Sequence, residues 1–292
     1  MGSENMTIIL YLFIRILILL SRKLPLRVSY ASVYFLAEVT YLLWRKGRAN
    51  IRSNTARFLG PQASQRQISY YSRLCIRNYF KYIVDFLRSL PSEPKEVVKR
   101  LNVEGIENLD EVLKDGNGAV LVSLHFGHWD FGATEIASRG YPVNGVVHHT
   151  CSPRVNSFVD RLRSMSNMKT IAARDGITQM IHRLRKNEII AMLIDKPNHG
   201  RRVKVKLCGS STVVPTGAAV LALRTGAKII PSGAVRLPDN TIHIILGKQI
   251  SFQRTNDLNR DIQVLMQMVW HELERLVREH PEQLYVFHRL WA

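Results

Sequence analysis

The residues best placed to do chemistry lie in Leu121-Val-Ser-Leu-His125-Phe-Gly-His128-Trp-Asp130. An apolar run leads straight into His125, Gly127 permits a sharp turn, and Asp130 follows where the next helix should begin. At the carboxyl end of a strand in an α/β sheet, such a pair stands where these folds build their sites. A carboxylate on one ring nitrogen fixes the imidazole tautomer and stabilises imidazolium, so the other nitrogen can take a proton from a hydroxyl. The expectation is that His125 is a general base oriented by Asp130. A histidine beside an aspartate is also a common structural pair, so this spacing alone does not decide the matter.

The rest of the chain must position that segment. Its 292 residues, 46% hydrophobic, suffice for a large core and exclude a disordered chain. The formal charge is +18, and residues 1–100 carry 17 Lys and Arg against 5 Asp and Glu. Most of the excess therefore lies beside the most apolar segments, as expected at a membrane surface. Residues 6–20 are apolar apart from Arg15 and are followed by Arg22 and Lys23. As a helix they would cover about 22 Å of a hydrocarbon core of about 30 Å, a marginal span. With Glu4 before and basic residues after, the segment reads as a retained anchor rather than a cleaved signal, its basic flank cytoplasmic. A buried hydrophobic helix is the alternative.

Val28 to Trp44 predicts a second helix in or against the bilayer, followed by Arg45, Lys46, Arg48, Arg52 and Arg57, which suit lipid headgroups or a solvated face equally. Tyr70 to Leu90 is again helical in pattern, ended by Pro91 and Pro94. From residue 101, short β-branched runs alternate with helical stretches, the pattern of a mainly parallel sheet flanked by helices. Strands are expected at 119–124, 143–148, 189–193, 228–235 and 241–246, and helices at 131–138, 157–164, 177–186, 216–224 and 257–280. Pro215 should sit in a first helical turn and Gly226 should cap a helix. This organisation divides the chain into an anchor over 1–24, a basic helical segment over 25–100 and an α/β catalytic region over 101–292.

Other chemistries are weaker. Cys75, Cys151 and Cys208 form no CxxC pair. His128 and the pair His148-His149 raise the question of a metal, but HExxH is absent. His148 and His149 end a neighbouring strand and so can face the same crevice. There is no G-x-S-x-G elbow, dinucleotide fingerprint, Walker sequence or nucleic-acid-binding pattern. Trp129, Phe126 and Phe131 either line an acyl channel or pack in the core, the commoner fate. Arg201, Arg202, Lys204 and Lys206 either bind phosphate or edge a solvated hairpin.

With its strand-end His125-x4-Asp130 block, the chain resembles the bacterial lipid A biosynthesis acyltransferase family, which includes late lauroyl and myristoyl transferases and phosphatidylinositol mannoside acyltransferases. The resemblance continues through Arg48-Ala-Asn-Ile-Arg-Ser-Asn54, Arg161-Leu-Arg163, Ile190 to Gly209 around Asp195, Val214 to Pro231, and His280 to Trp291. It implies a glycerolipid-acyltransferase-like α/β fold with an N-terminal helical membrane anchor. It also implies metal-independent acyl transfer from acyl carrier protein or CoA thioester to a glycolipid hydroxyl at the cytoplasmic face of a bacterial inner membrane, with no cofactor and no nucleic acid. Arg163 and Asp195 would join His125 and Asp130 in the catalytic site, Asp195 as the acidic residue that ends the strand of the second block, and Arg201 and Arg202 would meet phosphate. Asp130, where the lipid A branch usually has Glu, points away from lipid A as acceptor. The competing readings are a non-catalytic basic membrane-binding protein and a lipid hydrolase using the same pair on water.

Overall fold

The computed structural model describes residues 23–88, 100–148, 153–164, 167–196 and 200–291. Three helices come first: α1 (Leu26–Leu43), α2 (Arg45–Leu59) and α3 (Gln65–Arg88). Then strands and helices alternate: β1 (Leu101–Glu104), α4 (Ile106–Lys114), β2 (Ala119–Ser123), α5 (Trp129–Ser138), β3 (Val143–Val147), α6 (Pro153–Ser164), β4 (Lys169–Ala172), α7 (Gly176–Leu184) and β5 (Ile189–Leu193). A hairpin of β6 (Arg202–Leu207) and β7 (Ser210–Pro215) leads to α8 (Gly217–Thr225), β8 (Lys228–Arg236), β9 (Ile242–Leu246) and α9 (Leu258–Glu279).

Seven strands form one sheet in the order β1-β9-β8-β2-β5-β3-β4. Strands β8, β2, β5, β3 and β4 are mutually parallel, whereas β9 returns antiparallel to β8 and β1 pairs parallel with β9. The expected mainly parallel α/β sheet is thus present. Strand β2 is buried on both faces from Ala119 to Val122, which explains its unbroken apolar run. Helix α9 lays Ile262, Met266, Val269, Trp270, Leu273 and Val277 on one face of the sheet, and each such burial stabilises by about 1.5–3 kcal/mol. Its start is fixed by Asp257, whose carboxylate accepts from the backbone N–H groups of Asn259 and Arg260.

Several boundaries differ from the sequence reading. Pro215 ends β7 and Thr216 caps α8, so the proline precedes the helix instead of occupying its first turn; Gly226, at φ +80°, is the helix cap expected. The edge strands β1 and β4 span only 4 residues each, too short to show a period. The apolar segment 6–20, expected to be an anchor, lies outside the described residues. Among the described residues no helix is long and apolar enough to cross a membrane.

Candidate active site

Strands β2 and β5 are neighbours in register, Ser123 opposite Leu193. Two residues beyond each, at the carboxyl edge of the sheet, stand His125 and Asp195. The ring Nδ1 of His125 lies 2.9 Å from both carboxylate oxygens of Asp195, and the backbone N–H of His125 donates to Asp195 Oδ1 at 3.1 Å. A carboxylate can only accept, so Nδ1 carries the hydrogen and Nε2 is left as the basic nitrogen. The Asp195 side chain is 1% exposed and that of His125 20%. Burial alone would raise the Asp195 carboxyl, but the charge and hydrogen bonds of His125 outweigh it and hold the group below its ordinary value.

Asp130 was expected to orient His125, and here the structure corrects the sequence reading. It sits in the first turn of α5, where Arg163 Nε from α6 donates to it at 2.8 Å and the Tyr82 hydroxyl from α3 donates at 2.6 Å. Burial opposes its ionisation, yet the Arg163 charge and these hydrogen bonds keep it below the ordinary carboxylate range. The five-residue spacing from His125 crosses a turn that rotates Asp130 toward α3 and α6. Gly127 makes that turn at φ +55°, and a side chain there would collide with the Ala234 carbonyl. Its N–H donates to the Gln283 carbonyl at 2.8 Å, and the His128 N–H to the Ala234 carbonyl at 2.7 Å.

Between the two pairs lies Trp129, its ring edge-on to His125 at 5.1 Å and stacked on Tyr82 at 4.1 Å. Phe126 and Phe131 are core residues, as the commoner fate of such aromatics predicts; Trp129 is partly exposed and lines a cavity. This cavity, about 90 Å³ in volume, runs between the sheet and α5. Asp130 and Arg163 also border it, and most of its lining is apolar, Leu121, Ala133, Ile136, Gly145, Met168 and Ala191 among them.

His148 is exposed just beyond the end of β3, and partial burial together with the charges of Lys196 and His125 lowers its pKa. His149 lies outside the described residues. Arg201 and Arg202 are exposed at the start of the β6 hairpin; the Arg201 guanidinium donates to Asn259 of α9 and its carbonyl anchors Thr216, which ties it to the hairpin base. His128 is buried, its Nε2 against Asp85 and Arg236.

The sequence reading missed the back wall. After α9, residues 283–291 run beside the site: the Tyr285 N–H donates to the His125 carbonyl at 2.7 Å. Asn54 holds this segment, its amide donating to the carbonyls of Val286 and His288 and its oxygen accepting from Leu290 N–H, while Asn50 donates to the Phe287 carbonyl. Half-buried His288 feels Asp195, Lys196 and His125, with burial the main cause of its lowered pKa. The signal was present in Asn50, Asn54 and the C-terminal block, but not the fact that they meet. Tyr82 carried none.

Two lines of similarity bear on this arrangement. A phosphatidylinositol mannoside acyltransferase of Mycobacterium tuberculosis (strain CDC 1551 / Oshkosh) is 25% identical over 201 residues, covering 66% of this chain and 62% of the relative. One from Mycolicibacterium smegmatis is 25% identical over 205 residues, covering 69% and 67%. The chain thus spans less than two thirds of the length of the M. tuberculosis relative. The family model described as bacterial lipid A biosynthesis acyltransferase matches residues 3–292, and with nearly its whole length matched the chain belongs to that family.

Proposed function

We propose that this protein transfers a fatty acyl group from an acyl thioester, of CoA or acyl carrier protein, to a sugar hydroxyl of a membrane glycolipid. The observation that carries the reading is the His125–Asp195 pair beside Trp129, whose ring lines an apolar cavity. His125 Nε2 takes the proton of the acceptor hydroxyl as its oxygen attacks the thioester carbonyl. The C–O bond forms, the C–S bond breaks, and the proton passes from imidazolium to the departing thiolate. Asp195 stabilises the transient imidazolium, a contribution of about 10²–10⁴ in rate for the base as a whole. Exposed Lys196, next in the chain to Asp195, brings a positive charge that suits the phosphates of a thioester carrier. Asp130 and Arg163 line the cavity and pair with each other, while Asp195 orients the base.

The mannoside acyltransferase relatives favour a phosphate-bearing, sugar-headed acceptor. Helix α1 favours a membrane site of action: Val28, Phe35 and Leu42 recur at heptad spacing on its exposed face, with Phe35 71% and Leu43 76% exposed. Comparing total lipids from cells that express wild type or His125→Ala by mass spectrometry tests the reading. A species one acyl chain heavier, found with wild type alone, is expected. The same species with the variant would remove His125 as base.

A further inference from the structure

Helix α2 carries Arg45, Lys46, Arg48, Arg52 and Arg57 and no Asp or Glu. Its Asn50 and Asn54 face the C-terminal segment, whereas Arg45, Arg48, Arg52 and Ser53 line an open groove against the start of α3, at Gln65 and Ile68. The guanidiniums stand at positions i, i+3 and i+7, close enough to repel one another. None of the three has a carboxylate within ion-pair reach among the described residues. Arg48 donates to the Tyr41 and Leu42 carbonyls at the end of α1, and Arg52 donates to Gln65, so both are held by neutral acceptors with their charge uncompensated. Arg48 and Arg73 also lie over the Tyr41 ring, at 5.6 and 5.1 Å. Burial alone would raise the Tyr41 pKa, yet its hydrogen bond to Ser69 and the Arg52 and Arg73 charges lower it, as a strongly positive local field requires.

The groove adjoins a second feature. At the α1–α2 junction, Leu42, Leu43 and Trp44 are 57%, 76% and 41% exposed, a dense apolar lip beside the guanidiniums. An apolar lip next to uncompensated Arg forks matches the acyl-to-phosphate boundary of a bilayer: the lip enters the interface and the forks meet phosphate oxygens.

We propose that the α2 groove of Arg45, Arg48 and Arg52 is a headgroup site that binds the phosphate of an anionic membrane phospholipid. It specifies one surface of the membrane-acting enzyme proposed above and is separate from the His125 site.

The test reads binding of the full chain to phosphatidylcholine vesicles with and without phosphatidylglycerol, and so does not depend on catalysis. Each guanidinium at an anionic surface is worth about fivefold. The double variant Arg45→Gln/Arg52→Gln should bind phosphatidylglycerol vesicles about 25-fold more weakly, with binding to phosphatidylcholine alone unchanged. Ser53→Asp, which places a negative charge in the groove and removes no arginine, should cost about fivefold on the same vesicles. An unchanged preference for phosphatidylglycerol in both variants, or an equal loss on both vesicle types, would overturn the proposal.

Discussion

Asp195 reaches His125 from the neighbouring strand, 70 residues later in the chain, while Asp130, five residues away, turns its back on the imidazole to meet Arg163 and Tyr82. This geometry separates the two carboxylates by consequence. Asp195→Asn removes the anion that holds the Nδ1 tautomer and stabilises imidazolium, so kcat should fall by about 10²–10⁴ with KM little changed. Asp130→Asn should leave a smaller defect in kcat and lower the melting temperature, because Arg163 loses its anion. Steady-state kinetics with a defined thioester donor, alongside melting curves, would reverse the assignment if Asp130→Asn shows the larger kcat loss.

A buried charge network joins the helical segment to the catalytic sheet. Asp85 of α3 takes hydrogen bonds from Arg236 at 2.6 Å and from the Tyr30 hydroxyl of α1 at 2.8 Å, with Arg100 at 3.5 Å. Its side chain is 0% exposed and that of Arg236 4%. Asp85→Ala would strand a buried guanidinium, which costs about 3–5 kcal/mol. Urea unfolding should show that loss, and a variant within about 0.5 kcal/mol of wild type would mean the network carries little stability.

The same cluster makes stability depend on pH. Burial pushes His128 from 6.5 down to about 4, aided by Arg236 and opposed by Asp85. The unfolded chain takes up this proton near pH 6.5, whereas the folded chain resists it until about pH 4. Stability is therefore complete above pH 6.5 and declines as pH falls toward 4, by about 3 kcal/mol for this group. His148 and His288, also lowered, add in the same direction, by less because they are more exposed. Denaturant midpoints at pH 7 and 5 should differ by more in wild type than in His128→Gln, which keeps only the smaller contributions of His148 and His288. Equal divergence in both proteins would show that His128 is not held neutral.

The strands around the site were legible in sequence because those buried on both faces cannot hide: Ile189 to Leu193 was bounded to the residue, and His125 was recognisable as a histidine at a strand end. The choice of carboxylate was not. Nearness in sequence favoured Asp130, and only the strand order, which sets β5 beside β2, brings Asp195 into reach. That order depends on crossovers whose destination no local pattern encodes. Asn54 and His288 were visible as parts of separate blocks, yet their hydrogen bond spans 234 residues. Tyr82 and Asp85, inside an ordinary amphipathic helix, carry no local mark of a site.

The cavity itself makes the last prediction. Part of its lining is built from residues too small to fill it: Gly145 on β3 and Ala191 on β5, with Met168 against Gly145. A Cβ placed on Gly145 would lie 3.3 Å from Met168 Sδ and Cε, so a branched side chain must take space from the cavity or displace the flexible thioether. Valine suits a strand, and Gly145 does not occupy the left-handed region, so Gly145→Val should fold. If the acyl chain lies between the sheet and α5, this variant should shift preference toward shorter donors. Each methylene excluded is worth about 1–3 kcal/mol, or 10- to 200-fold in kcat/KM. Met168→Ala should shift it toward longer ones. A donor series differing by two carbons, assayed against one acceptor, reads both effects. An unchanged chain-length profile in both variants would place the acyl chain elsewhere, while leaving the His125–Asp195 assignment to stand on its own kinetics.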